Sequence, residues 1–167
     1  MRDLLAVRTR DPACHRLIQP LLFFKGYQAV QAHRLAHWLW RQGRRDMAYF
    51  VQMRTSEVFG VDIHPNATLG KGIMIDHGTG VVIGATCIIG NDVKLYQGVT
   101  LGALSLSARE TQTLRGHKRH PTIEDEVVIY ANATILGGET VIGRGAVIGG
   151  NCWVTRSVPP GARVAVT

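Results

Sequence analysis

The first residues able to do chemistry sit in a glycine-rich stretch, Asp76-His77-Gly78-Thr79-Gly80. A neutral imidazole, with an ordinary pKa of about 6.5, can take a proton and return it near physiological pH. A second candidate stretch holds Arg109, Arg115, His117, Lys118, Arg119, His120 and Pro121. A guanidinium fork there suits bidentate binding of a carboxylate. Residue types alone leave both open: His77 can equally make a structural hydrogen bond, and Arg119 can be a solvated charge. A thiolate metal site is not expected. The 3 cysteines, Cys14, Cys87 and Cys152, are far apart, odd in number and form no Cys-x-x-Cys pair. That pattern also argues against a disulfide framework and for a reducing compartment.

The elements that must hold these residues obey two different periods. Residues 1–60 read as helices. Asp11-Pro12 is a plausible helix start, with aspartate as N-cap and proline at the first position. Pro20 is expected to end the segment before it. From Gly26 to Gln42 apolar residues Tyr27, Val30, Leu35, Trp38 and Leu39 recur at helical spacing, and Gly43 can stop that run. Asp46 to Phe59 gives a further helix, with Phe50, Met53 and Val58 expected on its apolar side.

From residue 61 the aliphatic residues recur every six positions. Ile63, Leu69 and Ile75 form one run, and Ile83, Ile89, Leu95 and Leu101 the next. After a non-repeating stretch come Ile123, Ile129 and Ile135, then Ile142, Ile148 and Val154. Four positions on, compact residues recur, as at Ala67, Cys87, Val93, Val99, Val127, Ala133 and Cys152. This predicts a parallel β-helix of about four and a half coils, with three short strands per coil. The aliphatic residue points inward and the compact one completes each layer. Two interruptions break the register: extra residues beside His77, and an excursion over 103–122. Loops projecting from a rigid scaffold are where binding residues tend to lie.

Composition narrows the function classes. In 167 residues, 46% are apolar and 19% charged, which supports a packed core and argues against wholesale disorder. The net charge is +7. Its clusters, Arg41, Arg44 and Arg45, and Arg115, Lys118 and Arg119, are short and not interleaved with aromatics, so no nucleic-acid partner is expected. An anionic small molecule such as a phosphorylated coenzyme is a better use of the charge. The longest apolar stretch is interrupted by Lys25, Arg34 and Arg41, and no signal-peptide pattern opens the chain. No membrane association is expected, and the default location is cytoplasmic.

Several motifs together resemble the serine O-acetyltransferase family. They are Val61-Asp62-Ile63-His64-Pro65, Gly72-Ile73-Met74-Ile75-Asp76-His77-Gly78-Thr79-Gly80, Val99-Thr100-Leu101-Gly102, Lys118-Arg119-His120-Pro121 and Val158-Pro159-Pro160-Gly161. The helical half agrees, in Arg10-Asp11-Pro12-Ala13, Lys25-Gly26-Tyr27-Gln28-Ala29 and His37-Trp38-Leu39-Trp40-Arg41-Gln42-Gly43-Arg44. The resemblance implies a left-handed parallel β-helix of hexapeptide repeats (61–167) behind a small N-terminal α-helical domain (1–60). It also implies transfer of acetyl from acetyl-CoA to the hydroxyl of L-serine, in a homotrimer that can pair into a hexamer. Active sites would lie between neighbouring subunits, with no metal. His77 corresponds to the family's general base and Asp62 to the carboxylate that orients it. Asp11 and Asp76 correspond to the acids near the substrate's ammonium, and Arg119 and His120 to the groups that hold its carboxylate. Gly102, Ala131, Gly149 and Gly150 correspond to positions along the coenzyme groove. His64 is read as structural.

Three departures accompany the resemblance. The loop from Ala103 to His120 is longer than in the best-known members. The helical half is short, which leaves hexamer contacts open. The chain stops at Thr167, without the longer tail that binds O-acetylserine sulfhydrylase, so neither that partner nor feedback by cysteine is implied. The nearest rival is acetylation of another hydroxyl amino acid such as homoserine. Two further rivals are metal-dependent hydration of carbon dioxide through His77, His117 and His120, and a non-catalytic scaffold.

Overall fold

The computed structural model describes residues 1–105, 112–113 and 116–165. Four helices precede the strands: α1 (Arg2–Arg10), α2 (Ile18–Phe23), α3 (Lys25–Arg41) and α4 (Arg45–Phe59). Among the described residues, fourteen short strands then wind into a parallel β-solenoid with three faces. The first face stacks β1 (Val61–Ile63), β4 (Val81–Ile83), β7 (Thr100–Gly102), β10 (Thr134–Leu136) and β13 (Trp153–Val154). The second stacks β2 (Thr68–Leu69), β5 (Ile88–Ile89), β8 (Thr122–Ile123) and β11 (Val141–Ile142). The third stacks β3 (Met74–Ile75), β6 (Lys94–Leu95), β9 (Val128–Ile129), β12 (Val147–Ile148) and β14 (Arg163–Val164). Faces of 5, 4 and 5 strands make about five turns, slightly more than the repeats suggest, because β14 extends the third face past Val154.

The six-residue period is the inward column of each face. Ile63, Ile83, Leu101, Ile135 and Val154 stand in register on the first, and Leu69, Ile89, Ile123 and Ile142 on the second. Ile75, Leu95, Ile129, Ile148 and Val164 complete the third. Most are fully buried in one cluster, together with the compact residues Ala67, Cys87, Val93, Val99, Val127, Ala133 and Cys152. Burying each large aliphatic side chain contributes roughly 1.5–3 kcal/mol before entropy is counted.

Helix α3 closes the open end of this column, since Ala29 and Val30 join the solenoid's core. The approach is tight: a Cβ on Gly26 would collide with the carbonyl oxygen of Ile75 in β3. Gly26→Ala is therefore expected to destabilise the fold by about 1–3 kcal/mol. Thermal denaturation measures this, and an unchanged midpoint would mean that α3 can lift off β3 freely. A polar clamp fixes α1 as well. Buried Asp3 accepts from Arg34 Nε (2.7 Å) and Nη2 (2.8 Å) of α3, and from the Ile73 amide (3.0 Å) of the solenoid. Burial alone would raise the Asp3 carboxyl, but hydrogen bonds from Arg34 and Gln31 and the Arg34 charge hold it below its ordinary value.

Three helical expectations are corrected. Asp11 does not start a helix; α1 ends at Arg10, and Asp11 is its extended C-cap, with Oδ1 accepting from the Ala13 amide at 2.8 Å. That local bond closes a turn, which competes with helix initiation. Pro20 lies inside α2, in the first turn, where its missing N–H is not needed. On α4, Ala48 and Thr55 are buried, while Phe50, Met53 and Val58 are exposed, as are Leu35 and Trp38 of α3. Small residues let α3 and α4 pack closely, and the large ones form an outward apolar surface. Among the described residues, no helix is long and apolar enough to cross a membrane.

Candidate active site

The turn between β3 and β4 presents His77. Its φ of 58° is left-handed, as are those of Gly78 (88°) and Gly80 (79°), and the Gly78 amide donates to the Asp76 carbonyl at 2.6 Å. This tight turn pushes an exposed imidazole outward from the corner where the third face passes into the first. His77 and Asp76 line a cavity of about 540 Å³, together with Asp11, Lys25, Phe24 and Tyr27. His77 Nε2 lies 3.7 Å from Asp76 Oδ1, and Lys94 Nζ lies 3.5 Å from Asp76 Oδ2. Burial would lower the Lys94 ammonium, but Tyr96 and Asp76 outweigh it and raise it above its ordinary value. Lys25 hydrogen-bonds Thr79 at the rim. The cavity thus offers two carboxylates, a base and an apolar wall, but Arg119 is not part of its lining.

A second group gathers elsewhere. Asp62 lies at the centre of β1, where Gly60, the left-handed C-cap of α4, hands the chain to the strand. It shares a separate cleft with Tyr49, Gln52, Met53, Ser56 and Glu57, and its Oδ1 accepts from Gln52 Nε2 at 2.6 Å. His64, two residues on, lies edge-on to Trp40 (5.3 Å) and Tyr49 (5.6 Å). Its Nδ1 accepts from the Asn66 amide at 3.0 Å, which places the proton of the neutral ring on Nε2. Burial, then the Arg119 charge, hold His64 below its ordinary pKa, against the pull of Asp62.

Arg119 and His120 belong to this second group, at the corner between the first and second faces. The Thr86 hydroxyl accepts from the Arg119 amide (2.9 Å) and the His120 amide (3.1 Å), and lies 2.9 Å from His120 Nδ1. One side chain therefore fixes the whole step. A Cβ on Gly84 would collide with the His120 ring, so glycine is what admits the imidazole. Burial, then the charges of Arg119 and Lys118, push His120 down to about 4, and it is neutral at physiological pH.

The coenzyme candidates also divide. Ala131, Gly149 and Gly150 lie on the His77 corner, in the coils beyond it. There the backbone ladder runs Gly98 to Thr79, Asn132 to Gln97 and Asn151 to Ala131, each bond 2.9 Å. Gly102 lies at the opposite end of the first face, where a Cβ would stand 2.8 Å from Leu136 Cδ2. Arg109 and Arg115 lie outside the described residues; His117 is exposed. The residues read from the sequence thus form two clusters: Asp11, Asp76 and His77 on one corner, and Arg119 and His120 on the other, with Asp62 on the face that leads to it. His64 and Gln52 join the second cluster and were not assigned chemistry from the sequence. His64 had a signal, since it directly follows β1 and continues the strand's alternation two residues on from Asp62. Gln52 had none, because its place depends on how α4 docks.

The comparisons with known proteins agree with this architecture. A family model described as "Serine acetyltransferase, N-terminal" matches residues 1–32. The serine acetyltransferase of Escherichia coli K12 is 51% identical over 158 residues, covering 95% of this chain and 55% of that protein. Serine acetyltransferase 4 of Arabidopsis thaliana is 48% identical, covering 98% of this chain and 43% of that protein. The chain therefore spans about half the length of these curated relatives. Among solved structures, Neisseria gonorrhoeae serine acetyltransferase in complex with serine superposes with a TM-score of 0.90. It has 48% identity over 99% of this chain and 64% of that one. Soybean serine acetyltransferase complexed with serine gives 0.89 and 49%, over 97% and 63%. By sequence and by fold, the chain belongs to the serine acetyltransferase family of hexapeptide-repeat proteins.

Proposed function

We propose that the chain acetylates the hydroxyl of L-serine with acetyl-CoA, giving O-acetyl-L-serine and free CoA, at a site completed by two copies of itself. The observation that carries this reading is the division of the site residues between two corners. A serine zwitterion needs carboxylates for its ammonium, a cation for its carboxylate and a base for its hydroxyl. The His77 corner holds Asp11, Asp76 and His77. The other corner holds Arg119 and His120, with Asp62 nearby on the face that leads to it. Each is half of the requirement, and apposition of one corner to the other in a closed ring of subunits, a homotrimer, supplies the whole.

The chemistry follows from the side chains. His77 takes the hydroxyl proton as the serine oxygen attacks the thioester carbonyl carbon. Asp62 accepts a hydrogen bond from the imidazole and stabilises its protonated form. The tetrahedral intermediate then expels the CoA sulfur as the C–S bond breaks, and His77 returns the proton to it. The substrate supplies its own nucleophile, so no acyl-enzyme forms. Ala131, Gly149 and Gly150 leave backbone accessible along the His77 corner, which suits close passage of the extended coenzyme. Gly102 would meet it from the neighbouring copy. His120, neutral and fixed by Thr86, acts as a hydrogen-bonding wall rather than a second cation.

Release of free thiol from acetyl-CoA tests the reading directly. L-Serine is expected to be turned over at least about tenfold better than L-homoserine. One methylene is worth roughly 10–200-fold in a fitted pocket. Preference for homoserine, or no amino-acid-dependent thiol release, would overturn the assignment.

A further inference from the structure

The structure assigns Gln52 as a positioning residue for the catalytic dyad: its side-chain amide holds one oxygen of Asp62 and leaves the other for the His77 imidazole that a neighbouring copy brings to it. The inference rests on the proposed acetyl transfer and deepens it, because nothing in the sequence motifs points to α4. The geometry is specific. Gln52 Nε2 donates to Asp62 Oδ1 at 2.6 Å, just below the usual N–H···O range of about 2.7–3.2 Å. Tyr49, Gln52, Met53 and Ser56 share one side of α4, spaced three or four residues apart, and that side lines the Asp62 cleft. Gly60 caps the same helix two residues before Asp62, so only that left-handed cap and Val61 separate α4 from the carboxylate.

A carboxylate on a strand can rotate about its last torsion, and an imidazole N–H is held well by only part of that range. An amide bonded to Oδ1 removes the rotation and leaves Oδ2 as the acceptor still to be engaged. Gln52 is suited to this task because it donates without adding charge. A lysine in its place would compete with the imidazolium for the same carboxylate. A glutamate would repel it.

Four measurements separate this role from a simple tether between α4 and β1. Wild-type enzyme is assayed first for serine-dependent thiol release from acetyl-CoA; if it has none, the proposed function fails and not this inference alone. Gln52→Met keeps the shape and removes the donor. It is expected to lower kcat by about tenfold or more, up to on the order of 10²-fold, with the KM for acetyl-CoA and the melting temperature near wild type. In an Asp62→Asn background the same change is expected to cost almost nothing, because a residue that acts through Asp62 has nothing left to orient. Gln52→Glu gives the pH signature. Two carboxylates in contact share a proton as the solution becomes more acid, and the protonated glutamate then donates as glutamine does. Its activity relative to wild type is expected to climb as the pH falls from about 8 to about 6. Equal losses from Gln52→Met in the wild-type and Asp62→Asn backgrounds, or a flat Gln52→Glu ratio across pH, would overturn the assignment.

Discussion

His77→Asn is expected to lower kcat for serine acetylation by about 10²–10⁴-fold, the range over which a positioned general base usually acts. Asparagine is the informative replacement because His77 has a φ of 58°, and asparagine tolerates the left-handed region better than alanine does. The variant should therefore keep the turn, the cavity and the solenoid. The imidazole is exposed and packs against little, so the melting temperature should stay close to wild type. Binding of acetyl-CoA should also persist, since the small residues assigned to it lie in other coils. Thiol release measures the first effect, and thermal denaturation with coenzyme titration measures the others. Activity within about threefold of wild type would mean that another group removes the proton, because a general base is worth at least 10². His77→Ala is expected to lose as much activity but to melt slightly earlier than His77→Asn, since alanine tolerates the left-handed region less well than histidine or asparagine.

The solenoid was legible because its stabilising contact is one repeated event. Each inward aliphatic residue stacks on the equivalent residue of the next coil, so the spacing in the chain is also the architecture in space. The helices were less so. Hydrophobic spacing on α4 identifies a helix but not the face it buries, and here close packing by Ala48 turned Phe50, Met53 and Val58 outward. Asp11 illustrates a different failure: an aspartate before proline suits either a helix start or a chain-reversing turn, and the Ala13 amide decides between them. At the candidate site, the sequence offers the residues but not their grouping in space. Asp76 and His77 are neighbours in sequence and in space. His120 is far from Thr86 in sequence, yet the latter's hydroxyl fixes it, because β8, which follows His120, stacks on β5, which follows Thr86. No local pattern encodes that contact.

Mixing two inactive variants is expected to restore activity, and this result discriminates most sharply between a shared site and a self-contained one. His77→Asn removes the base from one corner, and Arg119→Ala removes the carboxylate-binding fork from the other. Loss of a charge-assisted bidentate contact should cost about 10²-fold in kcat/KM for serine. If subunits are unfolded and reassembled at equal amounts, each site draws one corner from one copy and the second corner from the next. Roughly a quarter of the sites then combine an intact His77 with an intact Arg119, and activity should return to about a quarter of wild type. A self-contained site would behave differently, because every chain in the mixture carries one lesion and no combination removes it. Activity no greater than the average of the two parents would place base and guanidinium in one chain. That outcome would require the two corners to close on each other within a single solenoid. The first face lies between them as a stack of five parallel strands on a fully packed core. Such a core resists bending, so the route left to bring the corners together is through a second copy.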